Sequence, residues 1–162
     1  MEIMPKIWVM PVGVDKYGTN PKDRREELDS KIIHEWSVPT ESEINDLILF
    51  YYTAVKKSLQ PTKCIRSIYR ITGKKHKSKS EGWVQRDMDM LSEITRISMI
   101  EPITLDEIKQ DDSLKTALFV KRSVICRTEV EPAHWKRLYN LIIQKNPALE
   151  KELAVYIPKK IY

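Results

Sequence analysis

Leu47-Ile48-Leu49-Phe50-Tyr51-Tyr52-Thr53 is an unbroken aromatic and aliphatic run with no polar residue before its last position. A strand with one wet face would alternate apolar and polar residues, so a run apolar at every position reads as a central strand buried on both sides. Upstream, Thr40 to Glu43 matches a capping box before a single turn. Downstream, Cys64 to Ile71 alternates, with Ile65, Ser67, Tyr69 and Ile71 on one face and Cys64, Arg66, Ile68 and Arg70 on the other. That pattern predicts a second strand paired with the first, its two arginines sharing a face.

Further out, Ile7-Trp8-Val9-Met10-Pro11-Val12 reads as a buried first strand closed by Pro11 and Gly13. Asn20 before Pro21, with Leu28, Ile32 and Ile33 following at helical spacing, predicts a helix over 21–35. Ile94 to Ile100 alternates as a strand that Pro102 should stop, and Thr104 with Glu107 makes a capping box for a short helix over 105–110. Leu118 to Ile125 is a further expected strand. Glu131-Pro132 opens a closing helix with Trp135, Leu138, Tyr139, Ile142 and Ile143 on one stripe, and Pro147 breaks it before a final turn or short helix. No strand–helix–strand alternation appears, so the expected class is α+β: a small mixed barrel or curved sheet decorated by helices, in one domain over 1–162 with its core at 7–145 and a tail or linker at 147–162.

The chain has 162 residues, 41% hydrophobic and 31% charged, with 4 glycines and 9 prolines, which excludes a disordered or low-complexity chain. No apolar run nears the roughly 20 residues that span a bilayer, and the first residues lack a signal-peptide pattern, so the expectation is a cytoplasmic protein with no membrane partner. Cys64 and Cys126 stand apart and suit buried fillers in a reducing compartment. The net charge of +5 hides an asymmetry. Residues 56–86 hold ten Lys or Arg against the single acid Glu81, a balance of +9, which leaves the remainder at −4. A polyanion is the natural partner for such a segment, although a lysine-rich loop can also serve solubility alone.

Motifs for chemistry are weak by comparison. Asp106-Glu107-Ile108-Lys109 contains half of a metal-dependent nuclease signature, but that chemistry needs a strand, whereas here the string follows a helix cap. His34, His76 and His134 are far apart with no ligand spacing around them. There is no glycine-rich phosphate loop and no nucleophile elbow, so the expectation is a non-catalytic chain without metal or cofactor. Aromatics are more informative. Trp8, Trp36, Tyr51, Tyr52 and Trp83 sit at or near element ends, where such rings can stack on a base, and Lys56, Lys57, Arg66, Arg70, Lys74, Lys75, Lys77 and Lys79 supply cations for phosphates. Any one of these rings could equally be ordinary core; Trp135, on the apolar stripe of the last helix, is read as core.

In order and spacing these pieces resemble the EVE domain, a PUA-like fold related to YTH domains. The resemblance runs through Ile7-Trp8-Val9, Trp36, Asn45-Asp46 followed by Leu47 to Tyr52, Ile65 to Ile71, Trp83, Pro102-Ile103-Thr104-Leu105 and Ala133-His134-Trp135, covering roughly residues 7–145. Asn45 stands where the family usually has glycine, and the family's Tyr-Pro-x-Arg has no counterpart near Met88 to Ile94. The resemblance implies a PUA-like β-barrel with an aromatic-lined pocket for nucleic acid, in several relatives around a modified base. It also implies a possible parent: EVE-like domains choose the DNA in McrB-type modification-dependent restriction proteins, where a GTPase motor and nuclease follow. Three readings stay open at this point: a reader of methylated DNA, a PUA-like reader of RNA, and a protein-interaction domain.

Overall fold

The computed structural model describes residues 4–15, 22–53, 63–77, 90–117, 120 and 127–157. Its main sheet is built from β1 (Ile7–Val12), β4 (Ile33–Val38), β5 (Leu47–Tyr52), β6 (Cys64–Ile71), β7 (His76–Lys77), β8 (Met90–Thr104) and β9 (Thr128–Glu129), while β2 (Val14–Asp15) and β3 (Lys22–Asp23) form a separate small ribbon. Among the described residues these strands are accompanied by α1 (Arg24–Asp29), α2 (Leu105–Gln110), α3 (Pro132–Lys145) and α4 (Glu150–Ala154), with 3₁₀ turns at Leu114–Thr116 and Pro147–Leu149. Strand order is β4-β8-β6-β5-β1-β9 with β7 on β8; β1 and β5 are parallel and every other pairing is antiparallel.

The apolar run of β5 is central, as its composition demands. Leu47, Leu49 and Tyr51 face a core shared with α3 and α4, while Ile48, Phe50 and Tyr52 face a second core with Trp8, Met10, Leu28, Trp36, Tyr69 and Ile94. This second core lies inside a curled sheet. Trp36 on β4 and Phe50 on β5 are separated by two intervening strands, which would put them about 14 Å apart on a flat sheet at roughly 4.8 Å per strand. Their ring centroids are 5.8 Å apart. The sheet therefore rolls up until its ends approach, and the Arg127 guanidinium, just before β9, donates to the Ser37 hydroxyl on β4. The architecture is the mixed, helix-decorated barrel expected from the sequence.

Several local expectations fail, each for a tertiary reason. The helix expected over 21–35 is only α1, and Ile33–Val38 is instead strand β4, paired to Met90–Thr95 of β8. Only Leu28 of the apolar trio is buried; Ile32 and Ile33 are 59% and 55% exposed, because pairing puts His34, Trp36 and Val38 inside instead. Trp36 thus sits within a strand and not after a helix. Asn20 and Pro21 lie outside the described residues. The capping box expected at Thr40 to Glu43 does not form, since Ser42 Oγ donates to the Pro39 carbonyl at 2.6 Å and the Glu43 N–H donates to Asp46 Oδ2 at 2.9 Å, but a turn follows it, the Asp46 N–H donating to the Glu43 carbonyl at 3.1 Å. β8 runs through Pro102 to Thr104, since β4 pairs only its first residues and the β6–β8 register shifts between Ile65 and Ser67, so the proline falls at an irregularity that needs no ladder N–H. The same shift breaks the alternation of β6. Arg66 lies over the Tyr52 ring in the inner core, whereas Arg70 lies against Tyr156 on the helix side, so the two arginines do not share a face. Val120, the described residue of the strand expected over 118–125, is helical, its N–H donating to the Ala117 carbonyl at 3.0 Å; the rest of that segment lies outside the described residues, as does Cys126. α2, α3 and the turn after Pro147 form where the caps and prolines predict, and Thr104 Oγ1 accepts from the Glu107 N–H at 3.1 Å.

Asn45 has φ 79°, the left-handed region that only glycine adopts freely and that asparagine tolerates best among the rest. Asn45→Gly is expected to leave stability nearly unchanged, and Asn45→Val to lower it by about 1–2 kcal/mol. Urea unfolding of the two variants checks this; equal stability of both would show that the turn relaxes to a negative φ.

Candidate nucleic-acid interface

The inner face carries a ladder of aromatic edges from three strands. His34 meets Trp36 at 5.5 Å, Trp36 meets Phe50 at 5.8 Å, and Phe50 meets Tyr69 at 5.2 Å, each near perpendicular. α1 is drawn onto this ladder by donors aimed at its last carbonyls. His34 Nε2 lies 2.8 Å from the Leu28 oxygen and 3.0 Å from the Lys31 oxygen; both are acceptors, so this nitrogen carries the proton. Tyr69 Oη donates to the Leu28 oxygen at 2.9 Å, and the Arg96 guanidinium donates to the carbonyls of Leu28, Asp29 and Lys31 and to Tyr69 Oη. Leu28 is fully buried beneath.

Beside this lies a polar group of four. Tyr52 Oη donates to Asp29 Oδ1 at 2.6 Å and lies 2.9 Å from Ser67 Oγ. Arg66 reaches Asp29 Oδ2 with Nη2 at 3.5 Å and holds its guanidinium 4.7 Å from the Tyr52 ring centroid. Its Nη1 is buried without a hydrogen-bond partner, and so is Tyr51 Oη on the other side of the strand. Burial, and next the bond to Asp29, hold the Tyr52 phenol far above its ordinary range.

Of the rings picked from sequence, Trp8, Trp36 and Tyr52 face the inner core and Tyr51 faces the helix-side core; none is more than 6% exposed. Trp8 is pinned by its indole N–H, which donates to Asp46 Oδ2 at 3.0 Å. Trp83 lies outside the described residues, as do Lys56, Lys57 and Lys79. The described cations disperse. Arg66 is inside, Arg70 is exposed on the helix side, and Lys74, Lys75 and Lys77 cluster beyond the far end of β6, where Lys75 Nζ donates to the Thr40 carbonyl at 2.6 Å and pairs with Glu43 at 3.6 Å. Sequence reading missed Asp29, Ser67, His34 and Arg96 as members of the inner group. Only the inward alternation of β4 and the count of polar residues in otherwise apolar strands could have signalled them.

The Asp106 to Lys109 string is helical: Glu107 bonds Thr104 and pairs with Lys145, and although burial raises its carboxyl, those partners hold it below the usual range. It is a cap and not a metal site. Among the described residues no three His, Cys, Asp or Glu side chains gather as metal ligands, and no helix is long and apolar enough to cross a membrane.

Cys64 is completely buried, and burial pushes its thiol up to about 11; burial likewise raises the Tyr51 phenol to about 12. In the folded state both keep protons that the unfolded chain releases at lower pH, so the stabilisation tied to Cys64 is full below about pH 9 and is lost as pH rises toward 11, and that tied to Tyr51 is lost between about pH 10 and 12. The urea midpoint should fall between about pH 8 and pH 10.5, and less so in Cys64→Ala. An unchanged midpoint would refute the linkage.

Comparison with known proteins yields a family and a fold. The EVE domain matches residues 35–141. No curated protein matches by sequence. Among solved structures, a hypothetical protein from Leishmania major superposes with a TM-score of 0.63 at 10% identity, over 88% of this chain and 97% of that one. A protein from Rhodopseudomonas palustris gives 0.60 at 14% identity over 90% and 95%. Human THYN1, solved in complex with DNA containing 5-methylcytosine, gives 0.61 at 13% identity over 84% and 96%.

Proposed function

This chain belongs to the EVE domain family, and from that premise we propose that it is a non-catalytic nucleic-acid-binding module that reads DNA. The observation that carries the reading is the concentration of charge in one stretch of the chain. Residues 56–86 carry +9 while the rest of the chain is net acidic, and among their described cations Lys74, Lys75 and Lys77 follow directly on β6, a strand of the inner core. Phosphates held there would keep a duplex close enough for a base to leave the stack, a step that costs a few kcal/mol. The structural likeness to human THYN1 in its complex with methylcytosine DNA supports the choice of DNA.

The finer reading is that the base is modified, that aromatic walls drawn from Trp8, Trp36, Tyr52 and Trp83 hold it, Tyr51 facing the helix-side core instead, and that the module serves as the specificity domain of a modification-dependent restriction system with a fused or associated GTPase motor and nuclease. A methyl group welcomed by an apolar wall is worth roughly 1 kcal/mol by area. Fluorescence anisotropy on matched duplexes with cytosine, 5-methylcytosine and N6-methyladenine, each with an RNA counterpart and at two salt concentrations, tests it. A preference of roughly fivefold for one modified duplex, on a salt slope common to all, is the expected result. Tighter binding to RNA would replace the reading with a PUA-like RNA reader, and no binding at moderate salt would leave a protein-interaction domain.

A further inference from the structure

Asp29 presents two oxygens to the inner face in the way a nucleic-acid acceptor pair would. Oδ1 accepts a hydrogen bond from the Tyr52 hydroxyl at 2.6 Å, and Oδ2 faces Arg66 Nη2 at 3.5 Å, a distance too long for a good charge-assisted bond. The guanidinium is thus underused: one nitrogen is distant from its acceptor and Nη1 has none. A buried guanidinium N–H without an acceptor is costly in a finished core and is retained more readily where another acceptor completes it. Access exists, since the side chains of Arg66 and Asp29 are 18% and 26% exposed, and Asp29 is the last residue of a six-residue helix. Tyr52 and Ser67, fully buried below, fix the floor against which any acceptor must sit.

We propose that Asp29 is an internal stand-in for the ligand: Arg66, with Tyr52 and Ser67, forms the polar wall that recognises a pair of acceptor atoms on nucleic acid, and the Asp29 carboxylate occupies that wall until the ligand displaces it. The inference rests on the DNA-binding reading above. The acceptor pair is either two phosphate oxygens or a base edge, which a planar guanidinium engages in the same forked geometry. Asp29 then weakens binding twice over, by competing for Arg66 and by repelling the incoming anion.

Oligonucleotide affinity of the intact chain, measured for Asp29→Asn, Glu26→Gln, Arg66→Gln and the double change Asp29→Asn with Arg66→Gln, tests it. Glu26 is exposed on the same helix and controls for the loss of one negative charge. Asp29→Asn should bind roughly fivefold tighter than Glu26→Gln, and that advantage should vanish in the Arg66→Gln background. A gain equal across cytosine and methylcytosine duplexes assigns the acceptors to phosphate; a gain on one duplex assigns them to the base edge. Equal affinities of Asp29→Asn and Glu26→Gln, with wild type binding DNA, would overturn the stand-in and leave the DNA reading intact. No binding by any variant overturns both, because the released wall should be the strongest binder of the set. Thermal melting of each variant confirms that it is folded.

Discussion

Asp46→Ala is expected to lower the unfolding free energy by about 3 kcal/mol, since three donors lose their shared acceptor in one substitution. Its carboxylate takes the Trp8 indole N–H at 3.0 Å and the backbone N–H groups of Lys6 and Glu43 at 2.9 Å each, and the side chain is 2% exposed. These bonds tie the chain entering β1 to the chain entering β5 at the start of their parallel register, where Leu47 N–H already donates to the Lys6 carbonyl. Orphaning a buried donor costs about 1–3 kcal/mol, and the two backbone groups are only partly buried, so the sum stays near the low end. Asp46→Asn keeps one acceptor oxygen and should lose about half as much, whereas Asp112→Ala, on an exposed side chain, should lose almost nothing. Urea unfolding followed by circular dichroism reads all three. A loss below about 1 kcal/mol in Asp46→Ala would show that the junction is held by β1–β5 pairing alone. The Asn45-Asp46 pair thus has a structural reason at both positions: a left-handed turn, then the acceptor it delivers.

Trp36→Ala should cost about 3–4 kcal/mol, because the indole is 6% exposed and packed between His34 and Phe50, and its removal leaves a cavity in the inner core. Trp36→Phe keeps most of the volume and should cost under about 1.5 kcal/mol. The contrast matters for function. A loss of DNA binding in Trp36→Ala would report partial unfolding, so the phenylalanine variant is the informative one for the proposed base pocket, with Trp83→Ala beside it. If Trp36→Ala unfolds with a loss below about 1 kcal/mol, the ring faces an opening and not a filled core, and stacking against a base becomes its better explanation.

Much of this architecture was legible in the sequence because its signals are local. The doubly apolar run at Leu47 to Tyr52 could only be central, and it is; the Thr104 cap and the Pro132 and Pro147 boundaries act through one or two backbone groups, so they hold wherever the segment lies. The segment over 21–35 was misread because Ile32 and Ile33 fit a helical stripe as well as they fit a strand, and only the partner β8 decides between them. The wider charge separation was equally plain, but not its distribution, which follows the path of the chain.

What the amino-acid order determined by itself is β1, β5, β6 and the start of β8 as strands, the helices that open at Leu105 and Pro132, the centrality of β5, the family pattern and the concentration of charge in residues 56–86. Tertiary structure alone decided which side chains meet. The irregular register of β6 against β8 separates Arg66 from Arg70, the curl of the sheet brings Trp36 onto Phe50 from three strands away, and pairing of β4 turns His34 and Trp36 inward. One extra residue in a ladder reverses the face of everything beyond it, and no local pattern records where such a residue will fall. The grouping of Asp29 with Tyr52, Ser67 and Arg66 is therefore a product of register and curvature, although each residue was in view from the start.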